Sequence, residues 1–346
     1  MRGPGPPIIA GSIPEQGRVI VPDAVIMEGI TKTFGPKVAV RDMNLRVPEG
    51  ALYGFIGPNG AGKTTTIRMI MSIMFPDSGR LSVLGKASAV ESKDRIGYLP
   101  EERGVYKKMK VGAFLRLIGR LKGMPGAGLD AKVRGWLERV DLADVYAKRC
   151  DELSKGMQQK VQFIAAVLHE PELIILDEPF SGLDPVNMRL LRDLFLEQHA
   201  AGRTVIFSTH VMHQAEQLCD HLIMINKGNK VLDASMDEIR ARYDPRTILF
   251  EPLDPGAAAA AVRGLQGVGT VSASNGVLEA SLVDGAEPTA VMRRIVEAAP
   301  VTRIELRRPT LEDVFIDIVS RDAGSEADEA SLRASLREDA AAGAQA

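Results

Sequence analysis

Short apolar runs broken by charges and turns fill residues 25–47, an alternation that specifies two or three antiparallel strands. Residues 52–56, Leu-Tyr-Gly-Phe-Ile, form a run short and apolar enough for a buried strand. A glycine-rich turn comes next. Residues 63–74 then favour a helix, up to a stop at Pro76-Asp77-Ser78-Gly79. From about 108 to 169 the spacing is mainly helical, over 111–121 and again around Trp136, which predicts an inserted helical subdomain. Apolar strands return at 173–176 and 204–207, separated by a helix over 187–199. Strands alternating with helices point to a parallel sheet. The runs 221–226 and 230–232 flank Lys227-Gly228-Asn229, a hairpin signal.

Beyond Tyr243 the texture changes, and a second, smaller unit begins near Pro245. Its runs read strand (247–250), helix (256–265), strand (269–274), strand (277–282), helix (288–298) and strand (302–306). That order, β-α-β-β-α-β, is the split ferredoxin-like arrangement. A last helix, about 311–319, is expected to pack on this unit. Residues 1–24, rich in Pro and Gly, read as a flexible extension, and the Ala-rich, acidic residues 321–346 as a disordered tail or a frayed helix.

Composition narrows the class. A chain of 346 residues has room for about two domains. With 45% hydrophobic and 25% charged residues and a net charge of -2, it is ordinary for a globular protein and lacks the basic excess of a general nucleic-acid binder. It contains no uninterrupted apolar run of about 18 residues, so it is not expected to cross a bilayer. Its start, Pro- and Gly-rich, lacks the basic cluster and continuous apolar stretch of a secretory signal. The two cysteines, Cys150 and Cys219, stand far apart in no metal-ligand spacing, which suits a reduced cytoplasmic setting.

The chemistry concentrates at strand ends. Gly57-Pro58-Asn59-Gly60-Ala61-Gly62-Lys63-Thr64 fits G-x-x-x-x-G-K-[ST] in full, between a strand and a helix. Its glycines let backbone N–H groups cradle phosphate oxygens at a positive helix end. In that pattern Lys63 reaches the β- and γ-phosphates, Thr64 offers a hydroxyl to Mg²⁺, and Thr65 stands beside it for a further phosphate contact. Leu173-Ile174-Ile175-Leu176-Asp177-Glu178 delivers two carboxylates at a strand exit. Paired acids there are often plain solvated loop residues. With a phosphate loop upstream, Asp177 is placed to hold Mg²⁺ through water and Glu178 to polarise the attacking water.

Leu153-Ser154-Lys155-Gly156-Met157-Gln158-Gln159, shortly before the acidic strand, resembles the LSGGQ-type signature of ATP-binding-cassette (ABC) ATPases, with Lys155 in place of a glycine and Met157 at the usual Gln position. An ordinary capped helix start is the plain alternative. The resemblance implies that Ser154 and the Gly156 N–H bind the γ-phosphate held by a second copy. It implies the fold too: an α/β P-loop NTPase ABC cassette over 25–243, with a mixed sheet core, an antiparallel β subdomain and the helical insertion, plus a small α+β ferredoxin-like domain over 245–320. Ser181-Gly182-Leu183-Asp184 resembles the D-loop, where Asp184 links the two sites, and His210 stands where the family has a switch histidine. A lone histidine at that place also serves as a helix cap, and nearby His213 raises a metal-site alternative without further ligands. Phe34 matches the aromatic ring that stacks on adenine, the alternative being a core Phe. Glu101, in Gly97-Tyr98-Leu99-Pro100-Glu101-Glu102-Arg103, stands where the family usually has Gln. A carboxylate can approach Mg²⁺ directly or through water, but it adds negative charge beside the γ-phosphate.

Residues 97–106, 153–184 and the run Arg308-Pro309-Thr310-Leu311-Glu312-Asp313-Val314-Phe315 are most similar to ATP-binding subunits of the sodium- and drug-exporter type. The match covers about residues 25–320. It implies ATP and Mg²⁺ as ligands, head-to-tail closure as a homodimer or heterodimer with a second ABC subunit, and a separate polytopic membrane permease. It also implies a cytoplasmic, peripheral place on the inner face of the membrane, and no nucleic acid. The rival class is a soluble ABC ATPase acting on ribosomes or DNA, whose paired cassettes or long coiled coils are not evident in this sequence. Phosphate-loop kinases and GTPases lack the Ser154 signature.

Overall fold

The computed structural model describes residues 21–323 apart from Arg103, residues 243–246, Asn275 and Arg308. Residues 1–20 of the extension read over 1–24, the boundary at Tyr243 and Pro245, residues 324–346 of the tail read over 321–346, and Arg103 and Arg308 of the two quoted runs lie outside the described residues. The last residues of that extension, Asp23 and Ala24, instead open the first strand, and the first of that tail, 321–323, close the last helix.

Two long strands, β1 (Asp23–Phe34) and β2 (Lys37–Pro48), pair antiparallel across a tight turn. Next come β3 (Leu52–Ile56), buried along its whole length, and α1 (Lys63–Ile70). The helix stops short of residue 74: the Met71 N–H still bonds Ile67 O at 2.9 Å, but Ser72 takes a positive φ of 55° and turns the chain away. Ser78-Gly79, read as part of a helix stop, opens β4 (Ser78–Val83), antiparallel to β1. Gly79 is there for close approach, since a Cβ would sit 2.5 Å from Gly29 O.

The strand β5 (Ile96–Leu99) leads into the helical insertion, built on α2 (Val111–Leu121), α3 (Leu129–Arg139) and α4 (Lys155–Val167). The chain then alternates through β6 (Leu173–Asp177), α5 (Pro185–Ala200), β7 (Thr204–Thr209), α6 (Met212–Leu218), β8 (His221–Asn226), β9 (Asn229–Ser235) and α7 (Met236–Arg242). The elements that pattern reading missed, β4, β5, α6 and α7, are each seven residues or fewer. Runs that short hold too few repeats to reveal their period.

One sheet is antiparallel, in the order β2-β1-β4. The other, β5-β6-β7-β3-β8-β9, is parallel from β5 to β8 with an antiparallel edge at β9. Successive β3 side chains serve opposite faces, as a strand buried on both sides requires. Leu52 and Ile56 join the core under the helical insertion, and Tyr53 and Phe55 join the core under α1 and the antiparallel sheet. Register sets Ile56 beside Thr209 and Asp177 beside Ser208, so the loops leaving β3, β6 and β7 emerge together at one sheet end. Ligands of parallel α/β sheets bind at such carboxyl ends.

The C-terminal unit runs β10 (Thr247–Pro252), α8 (Pro255–Val262), β11 (Val268–Ser274), β12 (Val277–Leu282), α9 (Pro288–Ala298) and β13 (Val301–Arg307). Its antiparallel order β11-β12-β10-β13 is the ferredoxin-like one. Ile248, Phe250 and Leu278 of the sheet pack there with Val262 of α8 and Val291 and Ile295 of α9. The last helix, α10 (Leu311–Ala323), departs from expectation. Because α8 and α9 already cover the sheet's apolar face, Leu311, Val314, Phe315 and Ile316 turn instead into the core of the larger unit, against α6.

Candidate functional site

The loop after β3 is folded by close backbone packing. Gly57 has φ 148°, and a Cβ there would lie 2.1 Å from Ile225 O. Gly62, with φ 114°, caps α1, and its Cβ would meet Ala39 O at 2.5 Å. No other residue fits either place. The β8–β9 turn buttresses the loop: Gly228 N–H donates to Ala61 O at 2.8 Å, and Gly228 O accepts from Arg41 N–H at 2.9 Å. Lys63, almost wholly buried, donates from Nζ to Gly57 O at 2.8 Å and Pro58 O at 3.3 Å. Its ammonium therefore lies inside the curl of the loop.

Asp177 is fully buried, and its Oδ1 accepts from Ser208 Oγ at 2.5 Å and Thr64 Oγ1 at 3.3 Å. Its other oxygen, Oδ2, is buried without a hydrogen-bond partner. A buried carboxylate oxygen left unpaired calls for a missing cation or water. Glu178 takes a left-handed backbone with φ 48°, which costs about 1–3 kcal/mol in a non-glycine residue and turns its side chain back toward the phosphate loop. Its N–H is held by Ser208 O and Ser208 Oγ, both at 3.2 Å. Its Oε1 lies 2.9 Å from His210 Nδ1 and 3.7 Å from Lys63 Nζ.

Burial drives the electrostatics. Desolvation pulls the Lys63 pKa below its ordinary value, opposed by the charges of Glu178, Asp177 and Glu101. Desolvation also pushes the Asp177 carboxyl above the usual aspartate range, opposed by its hydrogen bonds to Ser208 and Thr64. A cation close to Asp177, or an anion close to Lys63, relieves these penalties.

A cavity of about 430 Å³ opens over this floor. Phe34, Asn59, Gly60, Ala61, Gly62, Lys63, Thr64, Thr65, Glu101 and Glu178 line it. Gly57 and Pro58 shape the loop from beneath, and Asp177 and His210 flank Thr64 and Glu178 rather than forming the wall. Phe34 is 46% exposed at the rim, with Lys32 Nζ 5.8 Å from its ring centre. Pattern reading missed Lys37 and Ala39 in the same wall, though their nearness to Phe34 across the turn was a usable signal. Ser208 and Gly228 were missed as site residues, because their roles arise only from register and a long-range turn contact.

Ser154, Gly156 and Asp184 lie elsewhere. Ser154 Oγ accepts from Met157 N–H at 3.3 Å and caps α4. Asp184 Oδ1 accepts from Val186 and Asn187 N–H, both at 3.0 Å, and caps α5. The two turns adjoin: a Cβ on Gly156 would be 3.5 Å from Asn187 Nδ2 and 3.6 Å from Leu183 Cδ2. Between them and the first cavity lies a second of about 550 Å³, lined in part by Gln158, Gln159 and Ser181, which shares Glu101 and Glu178 with the first. Glu101 thus stands at the junction. His213 is exposed and contacts Gln217 at 2.9 Å.

Comparison with known proteins gives consistent matches. Residues 40–181 match the ABC transporter family model, and residues 235–319 match the C-terminal domain of DrrA1-3-like ATP-binding proteins. The chain is 39% identical over 302 residues to the uncharacterized ABC transporter ATP-binding protein YhaQ of Bacillus subtilis (strain 168), covering 85% of this chain and 97% of the relative. It is 32% identical over 306 residues to the daunorubicin resistance ATP-binding protein DrrA3 of Streptomyces coeruleorubidus, covering 86% and 96%. It is 30% identical over 309 residues to the Nod factor export ATP-binding protein I of Rhizobium sp. (strain N33), covering 86% and 98%. Among solved structures, an ATP-binding subunit of an ABC transporter superposes with TM-score 0.59 at 30% identity, covering 64% of this chain and 93% of that one.

Proposed function

The chain belongs to the ATP-binding proteins of ABC transporters, an ATP-hydrolysing family, and from that premise we propose that it is the motor of an exporter acting through a separate membrane subunit. Export is supported by the drug-resistance and Nod factor export names of two relatives that share nearly its whole length. The observation that carries the enzymatic reading is the group of buried Lys63, Asp177 and Glu178 with partly buried His210 at one cavity. ATP lies with adenine on Phe34 and its phosphates over the loop 57–65, where Lys63 holds the β- and γ-phosphates. Glu178 orients the attacking water and takes up its proton, and His210 holds the Glu178 carboxylate in place and contacts the γ-phosphate.

The residues fit Mg²⁺. Asp177 Oδ2 has no partner, and Thr64 offers a hydroxyl 3.3 Å from Oδ1. Among the described residues no three His, Cys, Asp or Glu side chains form a metal site by themselves. That suits a cation which keeps waters, takes one or two carboxylates and relies on substrate phosphates. Bound there, it supplies charge neutralisation between the phosphates. Glu101, in the cavity wall, would help to hold it directly or through water.

Family members dimerise and work with membrane permeases. For this chain we assign a head-to-tail homodimer or heterodimer in which Ser154, Gly156 and Asp184 of one copy complete the cavity of the other. The cassette spans 25–243 and the accessory domain 245–320. No helix among the described residues is long and apolar enough to cross a membrane. Membership of the transporter family supports a peripheral, cytoplasmic place against a polytopic permease. The permease docks on the helical insertion and residues 101–106. Co-purification tests this: a polytopic membrane protein should follow the tagged chain stoichiometrically, and recovery with ribosomes or DNA instead would overturn it.

A further inference from the structure

The C-terminal unit is anchored close to the reaction centre. Leu311, Val314, Phe315 and Ile316 of α10 are each no more than 2% exposed. They share one core with Ala215 and Leu218 of α6. The start of α10 is fixed by a reciprocal cap, in which Asp313 Oδ2 accepts from Thr310 N–H at 3.0 Å and Thr310 Oγ1 accepts from Asp313 N–H at 3.2 Å. Arg307, at the end of β13, bridges Glu279 of β12 at 2.5 Å and Asp313 of α10 at 3.2 Å. Sheet and helix are therefore tied by a partly buried cation.

The other side of α6 leads to the chemistry. The helix begins at Met212, directly after Thr209, His210 and Val211. Thr209 Oγ1 accepts from Val211 N–H at 3.0 Å and bonds Gln214 Oε1 of α6 at 3.3 Å. Gln214 also reaches Met188 of α5. His210 Nδ1 stands 2.9 Å from Glu178 Oε1. A continuous packed route thus runs from the C-terminal sheet through Arg307 and α10 to α6, His210 and Glu178.

We propose that Phe315 is a positioning residue for ATP hydrolysis: through α10 it holds α6, and with it His210, in register with Glu178, so that the C-terminal unit sets the rate of the chemical step. The inference rests on the roles given above to His210 and Glu178. It affects hydrolysis more than nucleotide binding, because apart from Glu178 and the His210 contact with the γ-phosphate the cavity walls, around Phe34 and the loop 57–65, lie on other elements. A partner or ligand that moves the C-terminal sheet would alter turnover with little change in ATP affinity.

The test is a double-mutant cycle in the full chain, reading kcat and the dissociation constant of a fluorescent ATP analogue. Phe315→Ala should lower kcat about tenfold, a size typical of intramolecular coupling, and leave the dissociation constant within about twofold. Phe315→Leu, which keeps most of the volume, should restore most of the rate. In a His210→Ala background, Phe315→Ala should cost nothing further. Equal losses in both backgrounds, or a parallel loss of affinity, would overturn the proposal. His210→Ala with an undiminished kcat would instead overturn the assignment of His210. Arg307→Gln, at a partly exposed site, guards against a Phe315→Ala chain that fails to fold. It should lower kcat about twofold at constant affinity, a smaller share of the same coupling, and an unchanged kcat counts against the route.

Discussion

The phosphate loop and the signature turn both place backbone N–H groups at the start of a helix, yet they are built differently. Around the loop, Lys63, Asp177 and Glu178 are buried and linked to Thr64, Ser208 and His210. At the signature turn, Ser154 and Asp184 are exposed and cap their own helices. A buried, prearranged set of charges performs chemistry with little reorganisation. An exposed cap recognises whatever anion is brought to it. In the head-to-tail dimer proposed above, one chain would therefore hold the reaction and a second copy would decide when it closes.

Removing the charge at the centre of the buried half should have the largest effect. Glu178→Gln keeps the shape of the side chain and its contact with His210 but ends proton acceptance, and hydrolysis should fall by about 10²–10⁴-fold, the span of general-base contributions. ATP binding should persist, so ATP-bound dimers should accumulate on size exclusion. Near-normal turnover would remove Glu178 from the base role.

Lys63→Ala acts on the same half through binding. It deletes a nearly buried ammonium which, in the proposed role, donates charge-assisted hydrogen bonds to phosphate oxygens, so ATP affinity should fall about 10–100-fold in equilibrium titration. An unchanged affinity would mean that the loop does not bind phosphate.

These residues were legible in advance because each lies in a contiguous motif at the end of an apolar strand. The strand holds the loop, and the spacing carries the chemistry. What stayed hidden depends on contacts between distant segments. Nothing near Ser208 announces that register places it against Asp177, and nothing near Gly228 announces that its N–H supports Ala61. The helix α10 was located correctly but given the wrong neighbour: its apolar face is plain in the sequence, whereas the face that accepts it depends on α8 and α9 having filled the competing sheet. Ser78-Gly79 failed for a related reason. A glycine required by close approach to β1 has the same spelling as one that ends a helix.

Ser154→Ala asks whether the two halves are separable. In the Glu178→Gln background the variant should bind ATP as before, while ATP-induced dimerisation weakens about tenfold, the value of one hydrogen bond to a charged group. The lost cap on α4 costs about 1 kcal/mol of stability, which thermal unfolding measures independently. If the affinity of the single chain for ATP falls as far as its dimerisation, the signature turn belongs to its own chain's cavity and the division fails.

Phe34 should yield the smallest effect, and it marks where the buried half meets solvent. The ring is 46% exposed at the rim of the cavity, with Lys32 nearby and Thr65 in the same wall. A core role would have hidden it, so the exposed face is available to a flat ligand. Stacking on an aromatic ring contributes about 0.5–1.5 kcal/mol, so Phe34→Ala should weaken ATP about 2- to 12-fold and Phe34→Tyr, which keeps the π face, should leave it unchanged. Inorganic triphosphate separates base from phosphate recognition: lacking adenine, it should bind Phe34→Ala and the parent chain equally. Equal losses for ATP and triphosphate would show that Phe34 supports the loop rather than the base, moving the ring from the recognition edge of the site into its structural floor.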